Sequence, residues 1–277
     1  MKIVAGISEF SEDHPALAWA LQYGRNREVA IELVHVVDTT AGRITEGLGE
    51  EALLAAEERL RDLARTAQDA TTRVTIEAHV RVGSLVNELV AAAEGADLLV
   101  IGAHPRERYD GAGRRAVRIA RLAPCSVVIA PSSIIPEGSG VVVGIDGSEG
   151  SQLALDFAAD LADRHGESLT VLLAWGHPES WGIAQPDLVV AEPAEEDRLI
   201  VAEAVAGLAE RYPDLVIVSE VSAARPERGL YAASVDARML VVGSRGHHAL
   251  AKALLGSTSE ELVAELPCPV AVIRGTD

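Results

Sequence analysis

The chain carries one sequence pattern twice, and this internal repeat limits its possible folds more than any other feature. Three apolar segments of the first half return in the second half in the same order, at offsets of 138, 141 and 143 residues. Two homologous domains of ordinary size produce this pattern when only their loops differ in length. We place the domains at residues 1–135 and 136–277, joined by a stretch rich in Pro, Gly and Ser. The repeated pairs are Ile3-Val-Ala-Gly-Ile7 with Val141-Val-Val-Gly-Ile145, Asp97-Leu-Leu-Val-Ile-Gly102 with Arg238-Met-Leu-Val-Val-Gly243, and Pro124-Cys-Ser-Val-Val-Ile-Ala130 with Pro267-Cys-Pro-Val-Ala-Val-Ile273.

Each half alternates short apolar runs with segments of helical periodicity. Near-continuous apolar runs predict strands buried on both faces, as in a parallel sheet covered by helices. We therefore predict an α/β fold with a parallel sheet and helices on both faces in each half. The predicted strands lie near residues 2–7, 30–37, 74–80, 97–102 and 126–130, then 140–146, 168–175, 215–221, 239–243 and 269–274. In the second half the predicted helices lie near residues 150–165, 195–211, 227–236 and 256–265.

Charge and composition exclude several classes of partner. The formal net charge is −18; residues 1–135 carry 15 basic and 19 acidic side chains, and the remainder carries 9 and 23. A nucleic-acid partner is not expected, because backbone phosphates need a basic surface. No apolar run could span a bilayer and the opening residues lack a signal-peptide pattern. We therefore expect a cytoplasmic protein that does not bind a membrane. Cys125 and Cys268 are interpreted as small core residues, and the histidines lack zinc-ligand spacing.

The stretch Gly243-Ser-Arg-Gly246, followed after nine residues by Gly256-Ser-Thr-Ser259, predicts a phosphate site. Glycines let a chain leaving a strand turn sharply and expose its N–H groups, and a helix beginning at Gly256 would present its positive end with three hydroxyls. Arg245 and Lys252 lie within this loop of a half that has few basic residues. The alternative is a simple turn followed by an ordinary helix start.

Asp146 closes the first strand of the second half, and Gly243 closes the fourth. Ligands of open parallel sheets bind beyond the carboxyl ends of the strands, where the winding reverses. If these strands are neighbours, Asp146 faces the loop and can accept hydrogen bonds from ribose hydroxyls or base amino groups. The alternative is that Asp146-Gly147-Ser148 is only a turn and helix N-cap. The common dinucleotide and P-loop signatures are absent from the sequence.

These motifs together resemble a known family. Val142-Val-Gly-Ile-Asp146-Gly-Ser148, the spaced glycines and Pro267-Cys-Pro-Val270 are similar to the ATP-binding subclass of universal stress protein domains. The resemblance covers the whole chain as a tandem pair. It implies five-stranded parallel sheets of order 3-2-1-4-5, paired domains, dimerisation through the last strand, and ATP held without a demonstrated general reaction.

The resemblance also implies which residues bind the nucleotide. Asp146 would contact the ribose or adenine, and Leu173 and Ala174 would line the adenine pocket. Mg²⁺ is expected with the ATP. The phosphates would be held around the loop by Gly243, Arg245, Gly246, Gly256, Ser257 and Thr258.

The first half departs from the motif. Ser8 replaces the aspartate, and Pro105 stands where Gly246 stands, which removes an N–H donor. Gly113-Arg114 is the counterpart of Gly256-Ser257 in a loop two residues shorter. Its nearby arginines either attract phosphate or are rim charges paired with acidic groups, and we favour the second interpretation. These arginines are Arg106, Arg108, Arg114 and Arg115.

We therefore expect a degenerate first domain and a second domain that binds ATP and thereby regulates contact with a partner protein that the sequence does not name. The alternatives are a slow ATPase or phosphotransferase, a nucleotide-free stress scaffold and, less favoured, flavin binding. No assembled base, nucleophile and orienting group is visible around the loop, so we do not expect an enzyme.

Overall fold

The computed structural model describes residues 1–25, 27–39, 48–71, 73–103, 112–132, 138–174, 176, 195–246 and 255–275. The chain divides into two compact units, Met1–Ser133 and Ile134–Asp277. The second unit contains the glycine loop and Asp146, and the first contains their altered counterparts.

The first unit alternates strands and helices from its first residues onward. Its five described strands form one sheet of order β3-β2-β1-β4-β5, and every neighbouring pair is parallel. The strands are β1 (Lys2–Gly6), β2 (Val29–Asp38), β3 (Val74–Gly83), β4 (Leu98–Ala103) and β5 (Ser126–Pro131). The helices are α1 (Pro15–Gly24), α2 (Leu48–Asp69), α3 (Leu85–Ala92) and α4 (Ala112–Leu122).

The second unit repeats this arrangement, with the order β8-β7-β6-β9-β10 and parallel pairing throughout. Its strands are β6 (Val141–Gly144), β7 (Leu169–Ala174), β8 (Ile217–Ser222), β9 (Met239–Gly243) and β10 (Val270–Ile273). Its helices are α5 (Glu149–His165), α6 (Glu195–Ala206), α7 (Leu208–Arg211), α8 (Pro226–Ser234) and α9 (Ser257–Glu265).

The predicted fold class is confirmed in both units, including the strand order that the family resemblance implied. The central strands account for this success, because β1 and β6 have neighbours on both sides and helices on both faces. Val4 and Val143 are fully buried there, and this burial produces the continuous apolar runs of the sequence. The single helix predicted over residues 195–211 is wrong: it divides at Gly207 into α6 and α7, where a glycine weakens helix propagation.

Both cysteines are free and buried, which confirms their interpretation as small core residues. Burial raises the pKa of the Cys268 thiol to about 12, so the reactive thiolate is not formed near neutral pH. No group of three metal-ligating side chains occurs in the described part of the chain, and His247 and His248 lie outside it. No described helix is long and apolar enough to cross a membrane.

Glu167 fixes the amino end of the second sheet. One carboxylate oxygen accepts a hydrogen bond from Gly140 N at 2.7 Å, and the other accepts one from Arg238 Nε at 2.7 Å. Arg238 N in turn donates to Gly140 O at 2.9 Å, so the starts of β6 and β9 are joined through three residues. Burial pushes the pKa of Glu167 upward, but Arg238 and Gly140 outweigh it and the pKa is lowered overall.

We predict that Glu167→Gln lowers the free energy of unfolding by about 1 to 2 kcal/mol at pH 7, because one of the two hydrogen bonds loses its acceptor and the other loses the carboxylate charge. Since the folded pKa lies below 4.5, the stabilisation is present at neutral pH and disappears as pH falls through the folded pKa. Urea unfolding of the variant and the parent at pH 7 and pH 3 measures both effects. Asp160→Asn, which breaks an exposed pair with Arg164, is the control and should cost less than half as much.

Candidate functional site

The candidate site of the second unit lies at the carboxyl ends of β6, β7 and β9. Ile145 follows β6, and its N–H donates to Leu172 O of β7 at 3.0 Å, which continues the pairing beyond the strand. Asp146 therefore begins the loop at the sheet edge where β9 also ends. Strands β6 and β9 are neighbours, as the argument from the sequence required.

Asp146 and the glycine loop are in direct contact. A Cβ placed on Gly246 would overlap Asp146 Oδ2, so a side chain at residue 246 would displace the carboxylate. Gly246 is thus held against the half-buried Asp146, and the predicted pair faces across the sheet edge. Any larger residue at position 246 would separate them.

The interpretation of Asp146-Gly147-Ser148 as a turn and helix N-cap is confirmed. Asp146 Oδ1 accepts hydrogen bonds from Ser148 N at 3.0 Å and Ser148 Oγ at 2.6 Å. Gly147 takes the left-handed conformation with φ of 81°, and Ser148 Oγ accepts from Ser151 N to cap α5. The turn and the predicted site are therefore compatible, because the turn orients one carboxylate oxygen toward the loop.

Gly243 permits a close backbone approach that the sequence analysis missed. A Cβ on Gly243 would lie 2.8 Å from the carbonyl carbon and oxygen of Gly150 in α5. A Cβ on Gly150 would lie 2.9 Å from Arg245 O. The end of β9 and the first turn of α5 thus interlock through two glycines. The sequence signal was a glycine in the first turn of a predicted helix, where it has no helical advantage.

The chain returns to the sheet edge at Gly256. Gly256 N donates to Ser244 O at 2.9 Å, and Ser259 Oγ donates to Gly243 O at 2.7 Å. The expectation that Ser259 offers its hydroxyl to an anion is wrong, because its proton is used to hold α9 against the end of β9. Lys252 lies outside the described residues.

The amino end of α9 is open. Gly256 is its N-cap residue and provides no side chain to cap it. Ser257 is exposed and Thr258 half-buried, and within the described residues neither their N–H groups nor their hydroxyls have a hydrogen-bond partner. Such a helix end attracts an anion through its unpaired N–H groups and its dipole.

Arg245 adds positive charge beside this helix end. Its Cα lies 3.9 Å from the position of a Cβ on Gly256. The guanidinium is half-buried and forms no ion pair with any described residue. The site therefore carries two opposite charges, which we call its two poles: Arg245 with the amino end of α9, and the Asp146 carboxylate against Gly246.

Leu173 and Ala174 lie at the same sheet edge, one strand from Asp146. Leu173 is buried and Ala174 is half-buried. The Ala174 Cβ lies 3.3 Å from the position of a Cβ on Gly229, so α8 packs closely on the Ala174 methyl at this end of β7. The structure places both residues where the resemblance put them, and their contact with a base is a prediction.

In the first unit the His14 side chain lies at the sheet edge where β1 and β4 end, which corresponds to the Asp146 edge of the second unit. His14 is buried and caps α1, its Nδ1 accepting from Ala16 N at 3.3 Å. Its Nε2 lies 3.0 Å from Ser8 Oγ, and Ser8 replaces Asp146 in the repeat. The ring faces Gly102 at the end of β4, where a Cβ would lie 3.4 Å from His14 Cε1. The His14 ring therefore fills the space at the carboxyl ends of β1 and β4.

A second group of side chains covers the end of β2 in the first unit. His35 Nδ1 lies 2.8 Å from Ile7 O, and the His35 ring contacts Phe10 with centroids 4.6 Å apart. Arg59 of α2 lies over the other side of Phe10, 4.6 Å from its centroid. This stack occupies the edge that corresponds to the Leu173 and Ala174 end of the second unit.

The arginines of the first unit correct one expectation. We favoured rim charges paired with acidic groups, yet Arg114 and Arg115 are exposed and form no ion pair with any described residue. Pro105, Arg106 and Arg108 lie outside the described residues.

The fold defines a tandem α/β protein with two parallel sheets of one strand order. The model of the universal stress protein family matches residues 1–131 and 140–274, and the chain belongs to that family.

A universal stress protein of Mycobacterium tuberculosis is 30% identical over 290 residues, covering 98% of this chain and 96% of the relative. A crystal structure of a universal stress protein from Archaeoglobus fulgidus has a TM-score of 0.73 at 18% identity, covering 100% of this chain and 97% of that one. A universal stress protein structure from Pseudomonas aeruginosa has a TM-score of 0.66 at 18% identity, covering 100% of this chain and 94% of that one.

Burial lowers the pKa of His14 from 6.5 to about 4, against a smaller opposing effect of the Glu9 charge. The unfolded chain therefore binds one more proton than the folded chain between these values, and stability falls as pH decreases from 6.5 toward 4. We predict that lowering the pH from 7 to 5 destabilises the parent by about 2 kcal/mol more than His14→Asn, which keeps a capping oxygen. Urea unfolding at both pH values tests this. Equal pH dependence of the two proteins would show that His14 is not held neutral.

Proposed function

We propose that the second unit binds ATP with Mg²⁺ and that occupancy of this site regulates contact with a partner protein. The observation that carries the proposal is the open amino end of α9 beside Arg245, facing an Asp146 carboxylate that is held against Gly246. A nucleoside polyphosphate has matching chemistry, with anionic oxygens at one end and hydroxyl or amino donors at the other.

The two poles of the site determine the orientation of the ligand. Phosphates would accept from the N–H groups and hydroxyls of Ser257 and Thr258 and pair with Arg245. Asp146 would repel phosphate and accept from the ribose or the base, next to Leu173 and Ala174. The glycines leave room for this approach, since a side chain at residue 246 would enter the space at the carboxylate.

The same residues suit Mg²⁺ as a companion of the phosphates. Magnesium prefers oxygen ligands, keeps several waters and commonly binds protein through phosphate oxygens with one or two side chains. The hydroxyls of Ser257 and Thr258 are the side-chain oxygens beside the proposed phosphate position. When bound, the ion would neutralise part of the phosphate charge in an acidic protein.

We expect the first unit to bind no nucleotide. His14 fills the space beside Gly102, and Phe10 with His35 covers the neighbouring strand end. A ligand would have to displace hydrogen-bonded and stacked side chains before it made any contact. The proposal is therefore one ATP per chain.

A regulatory role agrees better with the site than turnover does. N–H groups and hydroxyls that hold the phosphates equally in the ground state and the transition state do not accelerate chemistry. Among the described residues no histidine or carboxylate is hydrogen-bonded to Ser257 or Thr258, so none of these residues is positioned as a base there. Occupancy of the site is then the signal.

We predict that Gly256→Glu abolishes ATP binding and preserves the fold. The nearest atom to a Cβ on Gly256 lies 3.7 Å away, so a side chain fits, but a carboxylate would stand at the end of α9 where phosphate binds. Gly207→Glu is the matched control, because a Cβ there has no neighbour within 4 Å and the charge change is the same. Calorimetric titration with ATP and Mg²⁺ should give one site per chain for the parent and the control.

Three outcomes would contradict this proposal. If the parent binds no nucleotide and none co-purifies, the nucleotide-free scaffold is the better interpretation. If Gly256→Glu retains one site, or if the parent shows two sites, the first unit binds ATP and the side chains that fill its sheet edge move aside. Circular dichroism of both variants shows whether the folded state is retained.

We further predict that bound ATP is turned over far more slowly than about once per second, the lower range of ordinary enzymes. A single-turnover assay with radiolabelled ATP and excess protein measures the rate directly. Hydrolysis at an enzyme-like rate that Ser257→Ala abolishes and Gly207→Glu leaves intact would identify a catalyst instead.

A further inference from the structure

Helix α4 of the first unit presents an exposed arginine face, formed by Arg114, Arg115, Arg118 and Leu122. The three arginines are exposed, and Leu122 is 47% exposed, although it is a large apolar residue. Residues 115, 118 and 122 follow the i, i+3, i+7 spacing of one helix side. The opposite side buries Ala116, Ile119 and Ala120 against the unit.

Among the described residues the arginine face has no electrostatic compensation. Arg114, Arg115 and Arg118 form no ion pair with any described residue. Arg114 and Arg115 also lie in the first turn of α4, where the helix dipole disfavours positive charge. A cluster of like charges at the unfavourable end of a helix costs stability in the isolated chain, and an external acidic partner would offset that cost.

Helix α6 of the second unit presents an exposed face of opposite charge. This acidic face is formed by Glu195, Glu196, Leu199 and Glu203, and Leu199 is 57% exposed. Its glutamates form no ion pair with any described residue. Ala202 and Ala206, which are exposed on the same side, are small and allow a second helix to approach closely.

The two faces match in length and in pattern. Helix α4 has 11 residues and α6 has 12. Each carries an exposed leucine four residues after a charged side chain: Arg118 precedes Leu122, and Glu195 precedes Leu199. On α6 a further charge, Glu203, follows the leucine by four residues. Opposite charges beside a shared apolar contact favour one register of a helix pair.

We propose that the arginine face of one copy of this chain binds the acidic face of α6 in a second copy. Each copy carries one arginine face and one acidic face, so either face of one copy has a face of opposite charge on the other copy. This interface does not involve the nucleotide site and does not depend on the proposed function. It also differs from the dimerisation through a last strand that the family resemblance implied.

Charge-reversal variants of the full chain test the pairing. The first variant carries Arg115→Glu and Arg118→Glu, and the second carries Glu195→Arg and Glu196→Arg. Each should weaken self-association at least about tenfold in sedimentation velocity at low salt, because like charges then face each other. An equimolar mixture of the two should associate like the parent, since both contacts of the mixed dimer again join opposite charges.

Three controls separate the interface from a folding effect. Arg61→Glu with Arg65→Glu on α2 makes the same charge change on another exposed helix and should leave association intact. The α4 variant should keep or raise its thermal midpoint, because acidic residues are favourable in a first helical turn. Association of the parent should weaken as salt rises, since exposed charges are screened beyond about 10 Å at 0.1 M.

Several results would overturn the proposal. These are a parent that stays monomeric at low salt over the full concentration range, association that the α4 variant leaves unchanged, and a mixture that fails to associate. The last result would show that the arginine face binds some other surface.

Discussion

The close approach of two backbones at Gly243 and Gly150 is the contact on which the rest of the site depends. A side chain at either position would push β9 away from the first turn of α5. Because that distance is fixed, Arg245 and Gly246 leave the strand toward the Asp146 carboxylate, and Ser244 is placed to accept the N–H of Gly256. The amino end of α9 then stands over the sheet edge with its first N–H groups exposed. A small change in backbone separation would move every one of these groups.

The two helix termini near this edge differ in a way that suggests their roles. Helix α5 is closed, because Ser148 caps it and itself bonds Asp146. Helix α9 is open, because Gly256 has no side chain to offer. The protein caps one helix end with its own side chains and leaves the other without a side-chain cap. A scaffold selected only for stability would gain from a serine or aspartate at residue 256, since such caps contribute about 1 kcal/mol.

In the first unit, side chains of the protein fill the sheet edge that corresponds to the candidate site. Ser8 is too short to reach across the sheet edge as Asp146 does, and His14 fills the space that remains, bonded to the Ser8 hydroxyl. Burial keeps the His14 imidazole neutral, so the ring packs as an uncharged group whose two nitrogens form hydrogen bonds. Phe10, His35 and Arg59 seal the adjoining strand end by stacking. The sequence predicted degeneration from missing residues, and the structure adds the side chains that stand in their place.

The repeat, the apolar runs and the glycine spacing determined much of this protein without coordinates. They predicted the strand and helix order and the meeting of Asp146 with the loop, because burial on both faces of a sheet leaves a direct record in local sequence. Long-range backbone contacts leave no such record. Only the tertiary structure showed that Gly150 admits Gly243, that the Ser259 hydroxyl is used by the Gly243 carbonyl, and that His14 closes the first unit. These depend on how closely separate segments approach, a distance that folding sets and that no short stretch of sequence encodes.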